Sequence, residues 1–400
     1  MTSQPFLTAA HRQSEANWLF AVSFRPLFLG ASIFAALAVP VWVHFYVTGA
    51  GDIAGMPALA WHAHEMVFGY LPAVMAGYLL SATPNWSGRL PASGGPLALL
   101  FTLWLAGRTV PLAVPLPLWA GAAVDAAFPL AVALALMREA RVKVPQASRH
   151  GLILFPLLAT ASIAHRLLAA DPLLAAQLAR LGVAIGALLI AAVGGRLVPS
   201  FTRNALAGRG ADKVPEPYGR FDRFCLLVAS AALISWVLAP SHSATAFLAL
   251  AAGLLHLFRL ARWRGWLLRQ GDVLALHAGY LWLVLALFLA GLAAEPLALV
   301  PPEAALHAFA AGAIGTMTMA VMARLAATRG PGPRAEAALC AAALVITHLA
   351  ATARVAAVLL PSLYIPLLLT SAALWAVGFA VFALAQLPGP ASPVGGQKRG

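Results

Sequence analysis

The chain has 400 residues, of which 62% are hydrophobic and only 10% are charged, and its mean hydropathy is +0.85. This composition excludes an ordinary soluble domain and predicts one polytopic bundle of membrane helices. The formal net charge of +13 does not indicate nucleic-acid binding, because the basic residues lie in short gaps between apolar runs, as cytoplasmic loops do.

A bilayer core of about 30 Å requires roughly 20 apolar residues per helix. Residues 27–386 are therefore predicted to be a single all-α membrane domain, because twelve segments meet this requirement: 27–47, 60–82, 96–115, 117–137, 150–170, 174–198, 222–239, 244–262, 272–294, 303–326, 335–358 and 362–386. We expect residues 1–26 to form a cytoplasmic N-terminal segment without a signal peptide. Residues 387–400 are expected to be a disordered cytoplasmic tail.

The basic residues predict the orientation of these helices. In a twelve-helix topology, 22 of the 26 lysines and arginines fall on one side, so both termini are predicted to be cytoplasmic. The exceptions are Arg108, Arg166, Arg180 and Arg354, which lie inside helices or near their outer ends. Cys225 and Cys340 are isolated and are expected to be core residues, not a disulfide or a metal site.

An arginine inside a bilayer normally faces the bundle interior and has a partner. Asp125, in the fourth segment, is a candidate partner for Arg108, in an ion pair that is either structural or functional. For Arg166 and Arg354, we predict that their guanidinium groups bind the carboxylates of an anionic cofactor, which suits guanidinium geometry.

Histidines gather near the outer ends of several segments. Five of them are predicted to lie in the outer third of the bilayer: His44, His62, His64, His165 and His307. Each one alone is better explained as a core histidine whose hydrogen bonds are satisfied. Together they predict a metal or cofactor site in that leaflet, since neutral imidazole is the commonest metal ligand.

The second segment opens with Trp-His-Ala-His-Glu-Met at residues 61–66. At about 100° per residue, His62, Glu65 and Met66 share a helix face, and His64 points about 160° away from His62. Either His62 lies in a non-helical turn, or the two histidines serve different partners. Glu65 is a candidate metal ligand or a group that orients an imidazole. We expect two linked ligand positions here.

The tenth segment begins with His307, followed by a stripe of small residues that comprises Ala308, Ala311, Gly312 and Gly315. Such a stripe either lets helices pack closely or leaves room for a flat macrocycle with His307 as its axial ligand. The second, sixth and tenth segments run in the same direction. Twelve helices in three groups of four are also the plan of haem-copper oxidase catalytic subunits, an analogy only.

Several motifs, in order along the chain, resemble the NnrS family: residues 61–70, 76–86, 194–204, 276–282 and 307–319. The resemblance implies a bacterial inner-membrane protein that contains haem and copper and is linked to the nitric oxide response, often with denitrification. Family members usually carry Gly-His-Thr-Gly-Arg after the tenth helix. This chain has Ala-Thr-Arg-Gly-Pro at 327–331, so any role of that histidine is absent.

The resemblance adds His277, which falls in a family motif nearer the cytoplasmic side and leaves a second cofactor site open. The predicted cofactor-binding residues are His62, His64, His165, His277, His307, Arg166 and Arg354, and the predicted metal ligands are His62, His64, Glu65 and His307. Two functions stay open at this point. One is a haem and copper protein that binds or turns over nitric oxide, with an unidentified electron donor, and the other is a transporter of copper, haem or another metal complex.

Overall fold

The computed structural model describes residues 18–87, 92–140, 146–328 and 334–387. These ranges form an almost entirely helical bundle, as predicted, with a small two-stranded hairpin (Asp52–Ile53 and Met56–Pro57) between the first two helices. Twelve long helices are numbered α1 to α12 in chain order: Arg25–Thr48, Ala58–Ser87, Gly95–Ala113, Leu118–Ala140, Gln146–Leu167, Pro172–Ala207, Arg220–Leu238, Ser243–Arg262, Gly271–Ala293, Pro302–Thr328, Arg334–Leu359 and Tyr364–Ala385.

Within the described ranges, eleven of these helices are long and apolar enough to cross a membrane. The apolar stretch of α5 is shorter, Leu152–Leu167. The protein is therefore an all-α, multi-pass membrane protein. Most of the predicted terminal segments (1–26 and 387–400) lies outside the described residues, although Trp18–Phe20 forms a 3₁₀ turn before α1. We call the end at which α2, α6 and α10 begin the outer end, following the charge-based prediction.

Three helices depart from regular α-helical geometry. Helices α2, α6 and α10 contain the π-helical turns Glu65–Tyr70, Ile190–Gly194 and Ala308–Gly315, respectively. These are the helices whose sequences share features, and π-helical turns occur frequently at functional sites. The three helices meet near Gly186, where an added Cβ would lie 2.6 Å from Ile314 Cδ1 and 3.0 Å from Leu71 Cδ2.

The small residues of α10 make room for tryptophan rings. A Cβ on Gly312 would lie 2.5 Å from the Trp282 ring, and a Cβ on Gly315 would lie 2.6 Å from the Trp375 ring. At these two glycines, the space is therefore filled by protein, as in close packing. The neighbouring Ala310 and Ala311 instead line a cavity.

The π-helical turn of α6 is held by Arg259, a fully buried residue of α8. Its Nη1 donates to the carbonyl oxygen of Ala191 at 2.8 Å and to the Tyr280 hydroxyl at 3.0 Å, and its Nη2 donates to the carbonyl oxygen of Gly195 at 3.2 Å. Its Nε donates to Asp222 at 2.7 Å. A buried guanidinium therefore satisfies backbone acceptors that a π-helical turn leaves without regular partners.

We expect Gly195→Ala to destabilise the protein by about 1–3 kcal/mol, because the new methyl group would collide with the Arg259 guanidinium. The apparent melting temperature in detergent measures this effect. Gly271→Ala is the matched control, since a Cβ there would meet no atom within 4 Å. Equal melting temperatures for the two variants would show that Arg259 can move without cost.

Candidate functional site

A cavity at the outer end lies between α1, α2, α6, α10, α11 and α12. This outer cavity contains about 710 Å³ of empty space, including its open side. Its lining is largely apolar and aromatic, with three basic side chains, and comprises Val39, Trp42, His62, Met66, Val67, Tyr70, Leu71, Val183, His307, Ala310, Ala311, Ile314, Arg354, Leu368, Ser371, Ala372 and Trp375. Small-molecule and cofactor sites commonly have this character, with a few placed polar groups in an apolar pocket.

Several polar atoms in this lining are buried and have no hydrogen-bond partner among the described residues. They are His62 Nδ1, Arg354 Nη1 and the indole nitrogens of Trp42 and Trp375. The His62 ring stacks on the Trp42 ring, with centroids 4.1 Å apart and planes inclined by 19°. Buried polar atoms are nearly always paired in native structures, so this cluster of unpaired donors and acceptors indicates a ligand.

The ring of His307 is oriented for ligation. Its Nδ1 donates to the carbonyl oxygen of Glu303 at 2.8 Å, which leaves the lone pair of Nε2 free. Histidine ligands of metals typically donate their other ring nitrogen in this way. His62 and Arg354 both lie within electrostatic range of the His307 ring.

Arg354 extends from α11 into the outer cavity and is only 9% exposed. Its guanidinium lies 5.9 Å from the centroid of the Tyr364 ring, and no carboxylate of the described residues pairs with it. A buried guanidinium without a carboxylate is costly. Nη1 of Arg354 has no hydrogen-bond partner among the described residues and is therefore a donor that a carboxylate or phosphate ligand would use.

A second polar cluster lies between α2, α3, α4 and α5, with Glu65, Arg108, Asp125 and Arg166 almost wholly buried. Arg108 donates to Glu65 through Nη1 and to Asp125 Oδ1 at 2.5 Å through Nη2. The Nε of Arg166 donates to Asp125 Oδ2, also at 2.5 Å. Two carboxylates and two guanidinium groups give this ion network a formal charge of zero, which is how buried charges are tolerated.

Two histidines border this ion network. His64 is fully buried; its Nδ1 lies 3.4 Å from Glu65 Oε1 and its Nε2 lies 3.2 Å from the Ser162 hydroxyl. The His165 ring centroid is 5.5 Å from that of His64. Both ring nitrogens of His165 are buried and have no hydrogen-bond partner among the described residues. His165 therefore has unused ligating capacity, whereas both ring nitrogens of His64 already have partners.

The structure separates the residues of the opening motif. His62 and Met66 line the outer cavity, whereas His64 contacts the ion network. The expectation that Glu65 shares the face of His62 is wrong, because Glu65 pairs with Arg108 and His64 on the opposite side. The π-helical turn begins at Glu65, so the regular spacing of 100° per residue no longer applies there.

The predicted partnership of Arg108 and Asp125 is confirmed. Arg166 does not contact the outer cavity, unlike Arg354, because Asp125 on α4 holds its guanidinium within the ion network. His277 lies at the other end of the bundle, where Nδ1 donates to the Val273 carbonyl oxygen at 3.0 Å and Nε2 lies 3.4 Å from the Thr202 hydroxyl. The predicted site residues thus lie in three separate places: the outer cavity, the ion network with its two histidines, and the inner end of the bundle.

Other contributors to the site were not predicted. Trp42 and Trp375 line the outer cavity, and Tyr364 packs against Arg354. They come from α1 and α12, outside the motifs at residues 61–66 and 307–315 that the sequence singled out. Aromatic residues are common in this sequence, so only their position in the fold marks these three.

The model of the family described as NnrS protein matches residues 18–391 of the chain, which includes all twelve helices. No curated protein matches the chain.

Proposed function

Since the chain belongs to the NnrS family, we propose that it is a haem and copper protein of the bacterial cytoplasmic membrane that binds or turns over nitric oxide. The observation that carries this proposal is the outer cavity, where two imidazoles and a guanidinium with an unpartnered Nη1 converge in an apolar and aromatic lining. Nitrosative-stress response or denitrification is the physiological setting that the family suggests.

The outer cavity fits haem by the chemistry of its donors. His307 would hold the iron through Nε2, because Glu303 already fixes Nδ1 as the hydrogen-bond donor. Arg354 would bind a propionate, and Trp42 and Trp375 would pack on the macrocycle while their indole nitrogens gain partners. When bound, ferrous haem supplies a strong binding position for nitric oxide.

The proposed role of His62 differs from that of His307. Its ring is fixed by stacking on Trp42, and no hydrogen bond to the described residues determines which of its nitrogens carries the proton. We propose that His62 would either also hold the iron or hold a proton beside the haem. The apolar residues around both histidines would exclude water and leave space for a small apolar ligand.

For copper, the best donors are His64 and His165. No group of three or more His, Cys, Asp or Glu side chains within the described ranges is placed to hold one metal ion, so protein ligation would rest on two imidazoles. Imidazole is a suitable copper ligand. Glu65, beside Nδ1 of His64, would orient that ring, and Nε2 of His64 would bind copper in place of its present contacts with Ser162 and Asp125.

The proposed function is tested by purifying the protein in detergent and measuring its visible spectrum, its iron and its copper, before and after addition of nitric oxide. We expect a histidine-ligated haem spectrum that shifts with nitric oxide. A colourless protein without iron or copper would overturn the proposal.

We expect His165→Ala to lower copper affinity by at least the roughly 10- to 100-fold that the loss of a ligand-supporting group costs, without removing haem. Copper content by mass spectrometry and the haem spectrum of the same sample measure both. His44→Ala is the control, because His44 is an exposed outer histidine of α1. Unchanged copper in His165→Ala would exclude the His64–His165 pair as the copper site.

The transporter alternative is not favoured. Transporter sites are typically built from discontinuous helices near the middle of the membrane, whereas α2, α6 and α10 continue through their π-helical turns without a break. The two apolar-lined histidines and Arg354 instead suit a ligand that stays bound.

A further inference from the structure

A second cavity lies nearer the inner end, between α2, α6, α9 and α10. This inner cavity also contains about 710 Å³ of empty space, including its open side. Its lining comprises Leu71, Val74, Met75, Tyr78, Leu79, Gly186, Leu189, Ile190, Val193, Gly194, Leu197, Val198, Leu276, Ile314, Met317, Thr318 and Val321. No charged residue and no histidine is among these residues.

The hydroxyl of Thr318 is not available to a ligand. It donates to the carbonyl oxygen of Ile314 at 2.7 Å and accepts from the Tyr70 hydroxyl at the same distance. Tyr78 supplies the other hydroxyl of the lining. A quinone or lipid headgroup needs several polar partners, so the inner cavity suits a molecule without a polar head.

The inner and outer cavities adjoin each other. Leu71 and Ile314 line both of them, so these two apolar side chains form the partition. Gly186 faces the partition, and its lack of a side chain leaves the space into which Ile314 Cδ1 and Leu71 Cδ2 project. Leu71 and Ile314 are buried, and the partition consists of side chains alone, so a change of their rotamers would open it without movement of a helix.

We propose that the inner cavity is a holding site for a small apolar diatomic ligand, which passes Leu71 and Ile314 to reach the outer cavity. This inference rests on the proposed function, since nitric oxide is such a molecule and the outer cavity is where it would bind. Nitric oxide dissolves in the bilayer, and half-buried residues of the lining such as Tyr78, Leu189 and Val321 give the inner cavity a side that is not sealed by the core.

Xenon and carbon monoxide are the probes. Apolar cavities bind xenon, so xenon is expected in the inner cavity of the wild-type protein, by crystallography under xenon pressure or by xenon NMR. Leu197→Trp fills the inner cavity without touching the outer one. We expect it to abolish xenon binding there and to slow carbon monoxide association with the reduced haem about tenfold, equivalent to about 1.4 kcal/mol in the entry barrier.

Leu257→Trp is the matched control, because Leu257 is 42% exposed on α8 and remote from both cavities; it should change neither measurement. If Leu197→Trp does not fold, Val321→Phe fills the same cavity from α10. Absence of xenon from the wild-type inner cavity, or an unchanged carbon monoxide rate in a filled variant that still holds haem, would overturn the inference. A protein without haem would overturn the proposed function, whereas the xenon result would still decide for or against the inner cavity.

Discussion

His307→Ala protein is expected to be purified without most of its haem. His307 is the imidazole of the outer cavity whose Nε2 is left free by a hydrogen bond from Nδ1, so its loss removes an iron ligand. The loss of affinity for haem should exceed the roughly 10- to 100-fold loss that is typical when a group that only orients a metal-binding side chain is removed. The ratio of haem to protein absorbance measures it, and added imidazole should restore part of the histidine-ligated spectrum.

His348→Ala is the matched control for this experiment. His348 is also a membrane histidine whose Nδ1 donates to a carbonyl oxygen four residues earlier, that of Leu344, at 2.9 Å, but it does not line the outer cavity. We expect it to keep its haem. If both variants keep their haem with an unchanged spectrum, His307 is not an axial ligand. If imidazole restores nothing to a folded His307→Ala protein, the role of His307 is structural.

Arg108→Leu is expected to destabilise the protein by about 3–5 kcal/mol, the cost of breaking a buried ion pair from one side. Arg108 bridges Glu65 and Asp125, and its removal leaves the ion network with a net negative charge. Arg166 still pairs with Asp125, so Glu65 is the carboxylate left uncompensated. The apparent melting temperature and resistance to denaturant in detergent measure the loss.

The double variant Arg108→Leu with Glu65→Gln returns the ion network to zero charge, so it should recover part of the lost stability. Arg262→Leu is a second comparison: it breaks an ion pair with Glu216, whose side chain is 74% exposed, and exposed pairs contribute about 0–1 kcal/mol. If the double variant is no more stable than Arg108→Leu, then packing, not uncompensated charge, explains the effect.

The sequence predicts the helices of this protein well and their side-chain partners only in part. The twelve apolar segments correspond to the twelve helices because a bilayer imposes length and apolarity on each crossing. Arg108 and Asp125 were paired correctly, since two opposite charges at similar depth in a membrane have few other ways to be compensated. The pairing of Asp125 with Arg166 was not predicted, because one carboxylate can accept from two arginines at once.

The motif at residues 61–66 shows a second limit of prediction from the sequence. Its side-chain directions depend on a π-helical turn, which arises from packing between helices and has no periodic signal of its own in the sequence. Each of the three π-helical turns contains at least one glycine, but glycine alone does not predict a π-helical turn. These glycines are Gly69, Gly194, Gly312 and Gly315. The separation of His62 from His64 was among the predicted alternatives, but the position of Glu65 was not.

The π-helical turn of α6 has a consequence for how the family can change in length. A π-helical turn holds about one residue more than an α-helical turn, so deleting one residue from Ile190–Gly194 would convert it to a regular α-helical turn and leave the helix on either side in register. Gly195 would still face Arg259 and Leu197 the inner cavity, but the carbonyl oxygen of Ala191 would accept from the helix backbone in place of Arg259. A one-residue deletion is therefore expected to be tolerated better in this stretch than in the regular turns of Pro172–Leu189.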